Sequence, residues 1–177
     1  MPDWSREVPR RGWDPSRRLL RSIRRWQAWN ASPRPWAPLM RRWWTLQHRF
    51  WSVVTQADIP TNARIGGGLL LPHPNGVVIH PAAEIGPNCL IFQQVTIGTT
   101  RNRQGAPRIG GHVDIGAGAR VLGPVEVGAH AMIGANAVLT RDAPEHAVIA
   151  APRATDIAAP SPALVELPDA AARADRA

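Results

Sequence analysis

The 177-residue sequence contains one cysteine, Cys89, two phenylalanines, no tyrosine and no lysine. A lone cysteine excludes an intrachain disulfide and gives no sign of an oxidising compartment. The first thirty residues hold no continuous apolar run of the signal-peptide kind, and no apolar stretch approaches the length of a membrane span. A cytoplasmic protein is the default expectation. Acids are scarce at one end only. Residues 1–51 carry twelve arginines against Asp3, Glu7 and Asp14, whereas the remaining 126 residues carry nine arginines against ten acids. All eight tryptophans also lie in the first segment, the last being Trp51. The all-arginine, Ala- and Pro-rich vocabulary fits a GC-rich genome, so the segregation is more informative than the choice of arginine.

Residues 1–56 read as an Arg/Trp-rich α-helical arm. Asp14-Pro15 caps a first helix in which Leu19, Leu20, Ile23 and Trp26 recur at helical spacing between arginines. Ser32 to Pro38 is a proline-rich connector. A second helix is expected to carry Leu39, Trp43, Trp44, Phe50, Trp51 and Val54 on one side and Arg41, Arg42 and Arg49 on the other.

Residues 57–150 repeat with a period of six. Ile59, Ile65 and Leu71 form one run. Ile79, Ile85, Ile91 and Ile97 form a second, and Ile109, Ile115, Val121, Val127, Ile133 and Leu139 a third. Ile, Leu and Val make up only about one residue in four here, so thirteen aliphatics in register are not chance. A glycine usually follows, and a small or apolar residue usually stands four positions on, as at Ala63, Cys89 and Ala119. Each hexad is then one short strand and a tight turn, and three hexads close a triangular coil whose large aliphatics stack inside. Glycine or Asn is expected to supply the turn backbone. This is a parallel β-helix solenoid, mostly β, with the helical arm at its N-terminus. Residues 151–177 read as a closing segment and mobile tail.

The period breaks twice. Two residues are inserted between Leu71 and Ile79, around His73–Gly76, and Arg103 occupies an aliphatic position in Thr99–Pro107, which therefore leaves the prism as a loop. In solenoids such departures build the binding face. The first reads LPHPNG and holds His73 between two prolines that stiffen it. Its alternative reading is a plain turn residue.

The stretches IGGGLLLPHPNGVVIHP, FQQVTIG, PRIGGHVDIGAGARVLGPVEVG and IGANAVLTRDAPEHAVI resemble the serine O-acetyltransferase-like hexapeptide-repeat acyltransferases. The resemblance covers over half the chain, from Asp58 to Pro152. It implies a left-handed solenoid, acetyl-CoA as acyl donor, a hydroxyl acceptor, and a homotrimer with active sites between neighbouring prisms. The family's catalytic histidine falls on His73 and its aspartate partner on Asp58, fifteen residues earlier and nearly one coil away. The chemistry asks for such a pair: a base must take the hydroxyl's proton, and a carboxylate on the other ring nitrogen fixes the tautomer. The resemblance puts donor contacts at Thr99, Ala117 and Ala135. Arg141 and Arg153 are candidates for the phosphates, with ordinary surface arginine as their alternative.

The remaining histidines carry less. His80, His112 and His130 fall on turn positions, His146 on a terminal turn, and His48 among helical arginines. No close histidine pair supports a metal, and none is expected. Cys89 reads as core.

Departures from the family bear on the acceptor. Serine acetyltransferases carry an aspartate before the catalytic histidine and an Arg-His pair later, where this chain has Pro72, Gly105 and Ala106. Those residues help grip serine's charged groups, and the helical domain is also shorter. The short members associated with exopolysaccharide synthesis, such as colanic-acid acetyltransferases, look most like this chain, so a saccharide or other neutral hydroxyl is the preferred acceptor. Serine is the alternative. The closing AAPRA, Ala150–Ala154, departs from the family's Gly-Val-Pro-Ala pattern and weakens the C-terminal donor contacts. A third reading is a non-catalytic scaffold whose arm meets an anionic surface. A peripheral membrane contact fits arginine and indole chemistry, packing of the arm on the trimer is the counter-reading, and any nucleic-acid binding would be nonspecific.

Overall fold

In the computed structural model, residues 1–10 and 12–155 are described. Most of the expected tail, 156–177, lies outside them. Three parallel four-stranded sheets form the sides of a prism. Sheet I contains Val78–Ile79, Thr96–Gly98, Arg120–Leu122 and Val138–Leu139. Sheet II contains Arg64–Ile65, Glu84–Ile85, Arg108–Ile109 and Glu126–Val127. Sheet III contains Leu90–Ile91, Asp114–Ile115, Met132–Ile133 and Val148–Ile149. The chain visits I, II and III in turn, and each strand pairs in register with those one coil above and below, as Ile79 does with Ile97 and Ile97 with Val121. Single bridges extend the sheets: Asp58 to Val78, Leu70 to Leu90, and Ala143 to Val127. The solenoid is the left-handed parallel β-helix.

All thirteen hexad aliphatics are buried, from Ile59 to Leu139, and so are the small partners from Ala63 to Ala137. Cys89 is among the latter. Burial pushes its thiol pKa up, as expected for a core group.

The expectation that glycine or Asn supplies the turn backbone holds at Gly68, Gly76, Gly118, Asn88 and Asn136, but not at the glycines that directly follow the aliphatics. Gly66, Gly86, Gly110, Gly116 and Gly128 have no left-handed backbone. A Cβ at Gly86 would stand 2.5 Å from the Gly110 carbonyl carbon, so these positions are small because the next coil's backbone presses on them. The left-handed turn residue comes two positions later. It is Asn88, Gln94, His112, His130, Asn136 or His146, with φ between 57° and 60°, or a glycine, as at Gly68 and Gly118 with φ of 82° and 71°.

Two helices follow a short 3-10 turn, Trp4–Glu7: α1 (Pro15–Asn30) and α2 (Ala37–Thr55). Proline opens each helix where its missing N–H costs nothing. The arm closes the N-terminal end of the prism. Leu19, Leu20 and Ile23 of α1 join the core of the first coil, made by Ala57, Ile59, Ala63 and Ile65. The first coil's outward carbonyls, which have no coil above them, are met by side chains. Arg24 donates to Ile65 O and Gly66 O, and Gln27 to Thr61 O and Ala63 O, while His48 bonds Ile59 O. Glu7, buried, accepts two bonds from Arg24 and the backbone N–H groups of Gly68 and Leu69. Arg24 also lies over the ring of Trp4 at 5.3 Å.

The one-sided pattern expected of α2 does not hold. Trp51 is buried and Trp44 and Val54 half-buried, but Leu39, Trp43 and Phe50 face outward together with Trp36, Leu46 and Val53. A helix that must both cap a coil and pack on α1 has one apolar side to spend, and this one carries two.

Candidate active site

The III-to-I corner runs down the prism as a hydrogen-bonded column. Gly76 N donates to Gln56 O, Gln94 N to Asn75 O, Gly118 N to Gln93 O, and Asn136 N to Ala117 O. The first insertion, Pro72–Gly76, projects from the top of this column because two extra residues cannot fit the flat turn of a hexad. His73 is exposed on it. Gln56 takes a left-handed backbone at the end of α2, and its side chain accepts a bond from Asn75, which ties the insertion to the arm. His73 lines a cleft of about 560 Å³ whose walls come from both regions: Trp13 to Ser16, Val54 to Gln56, and Pro72 to Asn75.

Ala117 and Ala135 stand lower on the same corner. Ala117 is half-buried and Ala135 exposed, and the Ala117 carbonyl is already engaged in the column. Arg153 is exposed, four residues after the last strand of sheet III.

Asp58 is exposed at the top of sheet I, in register with Val78. Its backbone is held by Val77 O and Ile79 N. Among the described residues, no ion pair within 4.0 Å joins it to His73. Thr99 and Arg141 lie elsewhere, at the I-to-II corner and exposed, so one prism does not bring them to His73, Ala117 and Ala135.

The second insertion, Thr99–Pro107, also leaves from the I-to-II corner. A bridge between Thr100 and Arg103 folds it back, and Arg103 donates to Thr140 O, two coils down. Beside it is a cleft of about 530 Å³ lined by Thr99, Gly105 and Ala106 together with Arg64, His80, Glu84, Arg108 and Glu126. The two insertions therefore flank sheet I from opposite edges.

A feature not anticipated from the sequence occupies the third corner. The rings of His112 and His130 stack at 4.8 Å, and those of His130 and His146 at 5.1 Å. These are the coil-to-coil spacing of the strands themselves. The reading that no histidines lie close is corrected: the 18- and 16-residue intervals between them are about one coil, and the same left-handed turn position stacks on itself. Parallel rings aim their nitrogens side by side, and no group of three ligands suited to a metal occurs among the described residues. Above His112 sits Asn88, whose side chain also holds Met1 O and Asp3 N of the N-terminal segment.

Short-strand coils of one aliphatic per hexad, a capped end and corner-borne insertions define the class of the hexapeptide-repeat left-handed β-helices. Residues 106–141 match the family described as bacterial transferase hexapeptide (six repeats). Within that class the chain is similar to serine O-acetyltransferases. It is 39% identical over 99 residues to the serine acetyltransferase of Synechococcus elongatus, covering 55% of this chain and 41% of that protein. It is 44% identical over 93 residues to that of Helicobacter pylori, covering 51% and 54%. Among solved structures, the Vibrio cholerae serine acetyltransferase superposes with a TM-score of 0.65 at 33% identity, covering 78% of this chain and 52% of that one. A serine acetyltransferase in complex with CoA gives 0.63 at 32% identity, covering 77% and 55%. The chain spans about half the length of these relatives.

Proposed function

We propose that the chain is an acetyl-CoA-dependent O-acetyltransferase, with residues 57–150 as the transfer unit and His73 as general base. In this reading His73 takes the proton of an acceptor hydroxyl as its oxygen attacks the thioester carbonyl. The tetrahedral intermediate collapses, the C–S bond breaks, and the imidazolium returns the proton to the departing CoA sulfur. Asp58 is the carboxylate that would orient the imidazole. The observation that carries the reading is the shared edge of His73, Ala117 and Ala135. Three strand spacings, about 15 Å, separate the top of that edge from its lower turns. An extended donor lying along it would bring its thioester to His73 while late turns and Arg153 hold its distal end. Similarity to a serine acetyltransferase solved with CoA supports the donor.

Thr99 and Arg141 fit the same donor only from a neighbouring copy, because they sit on the far edge of sheet I. We therefore read the working form as a homotrimer, each site built from the His73 corner of one prism and the Thr99–Pro107 corner of the next.

For the acceptor, the comparisons favour serine over the saccharide preferred from the sequence. The curated relatives carry the name serine acetyltransferase, and one solved neighbour is a soybean enzyme complexed with serine. The cleft beside Gly105 and Ala106 also contains Arg64, Arg108, Glu84 and Glu126, so charged partners for a zwitterion are at hand despite the missing Arg-His pair. A neutral hydroxyl stays the second reading, on the strength of Pro72, Gly105 and Ala106. Release of CoA thiol from acetyl-CoA, measured over serine, homoserine and neutral sugars, tests both. Turnover confined to sugars defeats serine, and no turnover with any hydroxyl defeats the transferase reading.

A further inference from the structure

The outer face of α2 carries Trp36, Leu39, Trp43, Leu46, Phe50 and Val53. The spacing alternates three and four residues, which draws one straight stripe along about 25 Å of helix. All six are more than half exposed, from 51% for Trp43 to 78% for Val53. Trp13, also exposed, meets Trp51 edge-on, and Trp51 meets Phe50, so aromatic surface continues past the end of the stripe. An apolar patch of this kind on a soluble surface marks a contact.

The flanks say with what. Arg42 and Arg49 run along one side of the stripe and are exposed, and Arg34 is exposed at its start. α1 adds exposed Arg21 and Arg25, and neither helix contains a single acid. A second α2 packed on the stripe would find no carboxylate for these arginines, and the indoles at positions 36 and 43 and the Phe50 ring are too wide for a close two-helix seam, which favours β-branched residues and leucine. A bilayer with anionic headgroups matches both parts: indole and phenyl rings lie at the headgroup boundary, and guanidinium groups reach phosphates.

We propose that α2's outer face docks the protein on an anionic lipid bilayer. The arm closes one end of the prism, so a parallel ring of copies would present its arms at one end, on the same side of the assembly. The His73 cleft is walled by Trp13 and by Val54 to Gln56, the last turn of α2 and its cap, so it lies next to the docking helix. The docking stands on the arm alone and does not rest on the transferase reading.

The test is co-sedimentation of the full-length chain with vesicles of phosphatidylcholine containing about a third phosphatidylglycerol, against pure phosphatidylcholine. Firm binding to the first and weak binding to the second is expected. The triple variant Leu39→Ser, Trp43→Ser, Leu46→Ser keeps every charge and should bind on the order of a hundredfold more weakly, with its helical circular dichroism unchanged. Arg42→Gln with Arg49→Gln should weaken binding by about tenfold or more. The proposal is overturned if the parent ignores anionic vesicles at low salt, or if the triple-serine variant binds as tightly as the parent. It is equally overturned if the parent leaves vesicles unbound but drops to a smaller oligomer on triple-serine substitution, which would assign the stripe to a second copy.

Discussion

Inside the solenoid, Ile97, Ile115 and Val121 point into the prism and are fully buried, while the residues beside them on the outer surface, Thr96, Asp114 and Arg120, face outward. On α2 six large apolar residues stand outside, and the buried side is supplied by Ala37, Trp51 and Thr55. The two regions are joined by polar contacts as well as apolar ones: Glu7, Arg24, Gln27 and His48 all bond the first coil. The contrast separates two uses of apolar surface. In the solenoid most of it holds one coil to the next, and what is left outside is scattered over two sheets as Val78, Val138, Met132 and Val148. In the arm only one side is needed for holding, and the other is free to bind.

That contrast can be broken most forcefully at a corner. Replacing His73 with Ala should lower turnover by about two to four orders of magnitude, with CoA binding and oligomer size retained. Near-parental acetylation by this variant would reduce the Pro-His-Pro insertion to a turn. Asp58→Asn should lower turnover less than His73→Ala does, since it removes an orienting charge and not the proton acceptor.

Core substitution comes next. Ile97→Ala should cost about 3–4 kcal/mol in denaturant unfolding, from lost transfer energy and the cavity left in a stacked column. At the seam, Glu7→Ala strands Arg24 and two backbone N–H groups. A loss of about 2–3 kcal/mol is expected, below the range for fully buried pairs because Arg24 retains some access to water. A change too small to resolve would mean that the arm is held by α1's apolar face alone.

On the outer face of α2 the expectation is reversed. Leu46→Ala should shift stability by no more than about 0.5 kcal/mol, since the side chain is already in water. The smallest effect belongs to Cys89. Burial raises its thiol pKa, so at pH 8 the folded chain should resist alkylation that proceeds once denaturant is added. Fast labelling of the native protein would show that coils open locally.

How much of this was legible depends on period. The thirteen aliphatics declared the prism because each hexad repeats one demand, and the same regularity exposed the two insertions. Rows were harder to see. His112, His130 and His146 look unrelated until the coil length is applied to the turn position as well as to the core position. Glycine as turn former was legible at Gly68 and Gly118, but at the glycines directly after the aliphatics the cause is the backbone one coil away, a contact that no local pattern encodes. Helix α2 misled for the opposite reason: Trp and Leu on both sides of a helix give no sign of which side is covered. The candidate site residues were named through resemblance alone, and how they divide between two edges of sheet I needed the topology.

The placement of the two insertions on opposite edges of one sheet has a genetic consequence. On the proposed ring, a site takes His73 from one chain and the 99–107 corner from its neighbour. Two inactive variants, one lacking His73 and one with that loop shortened, would each be silent alone. Co-expressed, they assemble mixed rings in which some interfaces receive both intact halves, and activity returns. A chain that carried a whole site within itself could show no such rescue.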